Sequence, residues 1–191
     1  MTSRTCLETT VLKNPAVNAV WQGWHHLQLP QCWLVAGCLA QTVWNARFGL
    51  PGMHGISDID LIYFDPTDLS LSGEQAHAER IRALFPDLGI WMDVKNEARV
   101  HLWYAARFGF QIRPYSSAVD AIDTFPTTAT TIGMRPGPHG CEIHATFGLG
   151  DLFAGVVRPN KRLITRGIYE AKVAKWRVHW PDLRVVGWDA G

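Results

Sequence analysis

Two aspartates, Asp58 and Asp60, stand one residue apart in the run SDIDLIYF at 57–64. The run alternates at its start and then turns uniformly apolar, which predicts a strand. Side chains at i and i+2 of a strand leave the same face, with about 6.5–7 Å between their backbone positions. Two carboxylates placed in this way repel, and one of them resists ionisation unless a cation lies between them. Oxygen donors of this kind suit Mg²⁺ (or Mn²⁺), which takes one or two carboxylates and fills its shell with water and phosphate oxygens. By itself, Asp-x-Asp is also ordinary solvated surface at a strand edge.

Context separates the two readings. A third acid, Asp93, sits in the short apolar run Ile90 to Val94, where a carboxylate needs a compensating partner. Upstream, the apolar run Cys32 to Ala36 ends at Gly37-Cys38. A glycine at a strand-to-helix junction lets a phosphate approach the backbone, and the new helix offers free N–H groups with a positive dipole end. Cations that could meet phosphate are Lys95, two residues from Asp93 and on its face if the strand continues, then Arg99 and His101, and further on Arg158, Lys161, Arg162 and Lys172. For each of these a solvated surface position is the ordinary fate.

Other patterns carry less. The four cysteines, Cys6, Cys32, Cys38 and Cys141, include no Cys-x-x-Cys pair, so reduced thiols in a cytoplasmic protein are expected. Cys141 and His144 are three apart and would face opposite sides of a strand, which argues against zinc. His25-His26 reads as surface. Among nine tryptophans, Trp33, Trp91 and Trp103 lie in apolar runs and read as core, while Trp44, Trp103 or Tyr104 could give a nucleobase its apolar wall. There is no P-loop, no dinucleotide fingerprint and no nucleophile elbow.

These residues need a frame. Asn14 to Leu29 predicts a helix, with Asn14 as cap and Pro15 in the first turn. Cys32 to Ala36 predicts a buried strand, and Cys38 to Phe48 a helix stopped by Gly49. After the glycine- and proline-rich loop at 50–55 come the strand at 57–64, a turn at 65–68 and a helix from Glu74 to Phe85. Ile90 to Val94 is the next strand. Glu97 to Phe108 follows Asn96 as a helix, although its aromatic pair also permits a strand. A short helix is expected over Ser116 to Asp123. Threonine-rich Thr127 to Met134 predicts a strand, paired as a hairpin with Cys141 to Phe147 across a turn at 135–140. One or two helical turns are expected over Asp151 to Val157, then a basic loop at 158–162. Arg166 to Trp180 predicts a basic amphipathic helix stopped by Pro181. This order implies one α+β (mixed α/β) domain, a mixed sheet flanked by helices with a C-terminal hairpin and helix, and it leaves room for a subdomain from about residue 110.

The chain has 191 residues and a formal net charge of +1. A chain of this length buries a core without staples. A charge near zero supplies no bulk field for nucleic acid or membrane. The polar segment from Met1 to Lys13 lacks a signal-peptide core, and no apolar run reaches bilayer length.

Strand–glycine–helix, then Asp-x-Asp on a strand, then a lone Asp on a later strand is the motif order of the DNA polymerase β-like nucleotidyltransferase superfamily, which this sequence resembles. It is similar in particular to a bacterial nucleotidyltransferase family, on the segments SDIDLIYFD, MDVKNEARVHLWY, TTATTIGMR, FGLGDLFAGVVRPN and YEAKVAKW followed by HWPDL. These segments span the chain from about residue 30 onward. The resemblance implies transfer of an NMP group from an NTP to a hydroxyl of a small-molecule or protein acceptor, with Asp58, Asp60 and Asp93 as metal and catalytic residues. Gly37, Cys38, Lys95 and Arg99 are the implied nucleotide contacts. The superfamily's first motif is Gly-Ser, whereas here it reads Gly37-Cys38, and a thiol is a weaker donor than a hydroxyl. That departure keeps a non-catalytic nucleotide-binding or regulatory module in view. An RNA-directed transferase is the third reading, less favoured by the charge balance.

Overall fold

The computed structural model describes residues 3–138 and 140–190. Its frame is a five-stranded mixed sheet in the order β3-β2-β1-β4-β5, made by β1 (Trp33–Val35), β2 (Asp58–Tyr63), β3 (Trp91–Asn96), β4 (Ile132–Gly137) and β5 (Gly140–Ala145). Strands β2 and β3 run parallel, and the other neighbours are antiparallel. A parallel pair needs a crossover, and helix α4 (Leu71–Ala83) supplies it, capped by the Ser70 side chain on the Gly73 amide. The architecture is α+β.

Alternation along β2 splits the core in two. Ile59, Leu61 and Tyr63 join Leu34, Met92 and Val94 on one face. Against them pack α1 (Ser3–Val11), α2 (Pro15–Gln22), α3 (Gly37–Phe48), α4 and α8 (Arg166–His179). Trp33, Val35, Ile62 and Phe64 turn to the other face, under α5 (Val100–Phe108) and α6 (Ala118–Ile122). Asp58 and Asp60 share the parity of Ile62, so they leave the sheet on the face with the smaller core. The chain after β5 adds α7 (Gly150–Phe153) and a small parallel pair, β6 (Val156–Val157) with β7 (Arg184–Val185).

Local chemistry explains the element ends. Asn14 accepts from the amides of Ala16 and Val17, and Pro15 fills the first turn of α2. The helix expected to reach Leu29 stops at Gln22 and continues only as a 3₁₀ turn at Trp24–His26. Gly49 and Gly109 end α3 and α5 in the left-handed conformation, where a side chain would be strained. Asn45 donates to the carbonyls of Gly52 and His54 and accepts from Trp180 Nε1 at 2.7 Å. It thereby ties the loop entering β2 to the end of α8. Trp44, Trp176 and Trp180 pack edge to face around it.

Three expectations are corrected. The strand expected from Thr127 begins only at Ile132, because the threonine hydroxyls bond locally. Thr131 Oγ1 donates to the Thr127 carbonyl at 2.7 Å, and the Thr127 and Thr130 hydroxyls share a bond of 2.8 Å. Such back-bonding competes with a ladder. The expected turn at 135–140 is shorter, since β4 runs through Gly137; its His139 lies outside the described residues. Trp91, expected in the core, is 57% exposed, with the Arg82 guanidinium 3.8 Å from its ring centre. Helix α1 and the β6–β7 pair had no counterpart in the sequence reading. Among the described residues, no helix is long and apolar enough to cross a membrane.

Candidate active site

The site grows from strand register. Asp60 lies opposite Asp93 on the parallel neighbour β3 and opposite Val35 on β1. Directly paired residues share a face, so Asp60 and Asp93 stand side by side, with Asp58 two residues earlier on the same face. All three are half-buried. Asp58 and Asp93 line a cleft of about 690 Å³ whose walls come from α5 and α8 and from the segment at 124–126.

The Asp60 carboxyl is pushed up to about 7, first by burial and then by Asp58 and Asp93. Lys172 and a hydrogen bond from the Gly37 amide pull in the other direction. Lys172 comes from α8 and lines the cleft. Burial lowers its pKa, while Asp60 and Asp58 raise it. Lys95 Nζ is 3.3 Å from Asp93 Oδ1. Glu97, just past β3, is buried at the cleft and pushed up to about 8 by burial, then by Glu74, Asp60 and Asp93, against Lys95.

The donor set fits a hard divalent cation. It consists of carboxylate oxygens on one face, in mutual conflict that a cation relieves. Among the described residues no three His, Cys, Asp or Glu side chains close into a cage. Mg²⁺ does not require one, because water and substrate phosphates supply much of its shell.

Each expected nucleotide contact has a definite place. Gly37 opens α3, and a Cβ built on it would lie 3.4 Å from Asp60 Oδ2. The adjoining Ala36 holds φ of 55°, a strained value for a residue with a side chain, which sets the sharp passage from β1 into α3. Cys38 is fully buried in the larger core, and its thiol donates to the Val35 carbonyl at 3.6 Å. Its backbone, and not its thiol, is what the helix start offers a ligand. Lys95 lines the cleft. Arg99 does not: its guanidinium is 2.8 Å from Glu74 Oε1 and also donates to the Leu69 carbonyl, both bonds made inside the protein. Glu74 accepts from the Asn96 amide as well, so this pair anchors the end of β3 and so fixes Asp93 and Lys95.

Of the C-terminal cations, Lys172 reaches the cleft, whereas Arg158 pairs with Asp151 and Arg162 with Asp123. Lys161 Nζ lies 5.5 Å from the Trp188 ring centre. Of these three aromatics, Trp44 is wholly buried and Tyr104 nearly so, while Trp103 is half-buried at the cleft, as Phe108 and Phe125 also are. Sequence reasoning missed Glu97, Gln41, Arg107 and Lys175 as cleft residues. Two signals pointed to some of them. Lys95 and Glu97 continue the alternation that begins at Asp93, and Lys172 and Lys175 are spaced to share a helix face.

Comparisons with known proteins bear on the fold and the family. A solved structure described as "a CCA-adding enzyme head domain" superposes with a TM-score of 0.79 at 24% identity, over 97% of this chain and 96% of that one. At that identity the likeness speaks for the fold. No curated protein matches the sequence. A family model described as "Nucleotidyltransferase" matches residues 22–185, from α2 through β7, with the three aspartates inside the match. The chain therefore belongs to that nucleotidyltransferase family.

Proposed function

We propose that this protein transfers an NMP group from an NTP to a hydroxyl of a small-molecule or protein acceptor, with Mg²⁺ (or Mn²⁺) held by Asp58 and Asp60. The observation that carries the reading is the register pair of Asp60 and Asp93 with Asp58 on the same face beside a cleft. When bound, the metal supplies charge neutralisation and activates the attacking oxygen. The chain's own groups do the rest. Lys172 and Lys95 draw the triphosphate to the carboxylates, and the Gly37 amide and the start of α3 meet its oxygens. Trp103 gives the base an apolar wall. A bond forms between the acceptor oxygen and the α-phosphorus as the bond to pyrophosphate breaks. The acceptor's proton passes to Asp93, or Asp93 completes the metal shell. We read the described chain as one working unit, and its four free thiols fit a reducing cytoplasm.

The test is Mg²⁺-dependent transfer of label from α-labelled ATP to material in a cell extract. The reading expects transfer with the wild type and none with the Asp58→Ala/Asp60→Ala variant. Equal transfer by both would sink it. One observation favours a second reading, a module that binds nucleotide without turnover: the Cys38 thiol is fully buried and donates to the Val35 carbonyl. Calorimetric binding of ATP with no transfer to any acceptor would select that module. An RNA acceptor is less favoured, because Arg158 and Arg162 are spent on ion pairs. Absence of salt-dependent RNA binding would remove it.

A further inference from the structure

Gln41 lies one helical turn after Gly37 on α3 and lines the cleft. It is only 9% exposed, and its Oε1 is buried without a hydrogen-bond partner. The other large buried amides are satisfied: Asn14, Asn45, Asn96 and Asn160 each donate to carbonyl oxygens. A buried acceptor left unpaired forfeits its hydration without return, so a lone exception among the buried amides, beside a catalytic face, needs a cause. Trp44 Nε1 and His101 Nδ1 are also unpartnered, but neither lines the cleft.

Gln41 and Asp60 both approach the open side of Gly37. The point where a Cβ on Gly37 would sit is 3.4 Å from Asp60 Oδ2 and 3.5 Å from Gln41 Nε2. Oε1 is the end left without a partner, and an acceptor needs an O–H or N–H. Phosphate oxygens offer neither when ionised. The terminal torsion of glutamine is soft, so a small turn brings Oε1 to the cleft surface.

We propose that Gln41 is a positioning residue whose Oε1 accepts a hydrogen bond from an O–H group brought in with metal and nucleotide, either a metal-bound water or a sugar hydroxyl. This rests on the reading of Asp58 and Asp60 as metal ligands. Mg²⁺ keeps several waters, and groups that hold such waters or ligands from behind typically tune affinity by 10–100-fold.

The experiment titrates Mn²⁺ alone by calorimetry into the wild type and into Gln41→Leu, Gln41→Met and Gln41→Glu. ATP, 2′-deoxy-ATP and 3′-deoxy-ATP are then titrated with Mn²⁺ present, and the melting temperature of each variant is recorded. The apolar variants are expected to melt no lower than the wild type, because they remove an unpaired acceptor. If the donor is a metal-bound water, the apolar variants bind Mn²⁺ about tenfold more weakly and Glu restores the affinity. If it is a sugar hydroxyl, Mn²⁺ binding is unchanged and the preference for ATP over one deoxy analogue disappears. Unchanged Mn²⁺ affinity together with unchanged nucleotide preference overturns the role of Gln41. So does a lowered melting temperature in both apolar variants with binding intact, which marks a purely structural amide. A wild type that binds no Mn²⁺ defeats the metal reading itself, a result distinct from indifferent Gln41 variants.

Discussion

Lys172, on the last helix and lining the cleft, and Asp60, in the sheet, act on each other electrostatically. Lys172 lowers the carboxyl's pKa and Asp60 raises the ammonium's, each against its own burial. The ammonium is thus a stand-in charge beside acids that lack one. Replacing Lys172 with Met is expected to raise the KM for NTP about tenfold or more, because a positioned cation on the phosphates is lost. Steady-state kinetics over a range of NTP concentrations checks this, and an unchanged KM counts against Lys172 as a phosphate contact.

Asp60 makes the metal-free protein sensitive to pH. Its folded pKa, about 7, lies above the ordinary 3.8, so the folded state holds the proton more tightly than the unfolded chain. Its contribution to stability is complete below about pH 4 and is lost as pH rises through 7. Glu97, at about 8, acts with the same sign over a slightly higher window. A cation at the carboxylates opposes the loss. Melting temperature should therefore fall between pH 6 and pH 8.5 in chelator, and added Mn²⁺ should raise it more at pH 8.5 than at pH 6.

Arg99 and the cleft cations should separate cleanly in mutants. Arg99→Ala leaves Glu74 buried without its partner, a change that typically costs about 3–5 kcal/mol. Denaturant unfolding should show that loss, while nucleotide affinity of the remaining folded protein stays near the wild-type value. A variant of full stability with weakened ATP binding would return Arg99 to the nucleotide site.

Cys38→Ser tests the departure from the Gly-Ser motif. The buried thiol donates to the Val35 carbonyl, and a serine hydroxyl can make the same bond. ATP affinity is expected to change less than about threefold, below about 0.7 kcal/mol. A tenfold gain measured by calorimetry would mean that this side chain turns to the phosphates.

Much of this arrangement was legible in the residues themselves. The alternation Asp58, Asp60, Ile62 gives the shared face, and the apolar run around Asp93 gives the neighbouring strand. Local sequence cannot supply pairing partners, so that Asp60 would meet Asp93 in register was beyond spacing alone. Arg99 illustrates a similar limit: a cation following Asp93 in the chain looked available, yet its partner Glu74 comes from a different helix. Lys172 is the converse, a residue of an ordinary basic helix that tertiary packing brings to the acids. The threonine segment misled because β-branching and hydroxyl chemistry oppose each other, and the hydroxyls prevailed.

Whether Asp58 and Asp60 hold a divalent metal for nucleotidyl transfer is decided by a crystal structure with Mn²⁺ and a non-hydrolysable NTP, using anomalous scattering to locate the metal. The expected result is an anomalous peak at the carboxylates of Asp58 and Asp60, beside the nucleotide's phosphates. A metal bound with the nucleotide elsewhere, with both aspartates free of it, would rule out that role for Asp58 and Asp60.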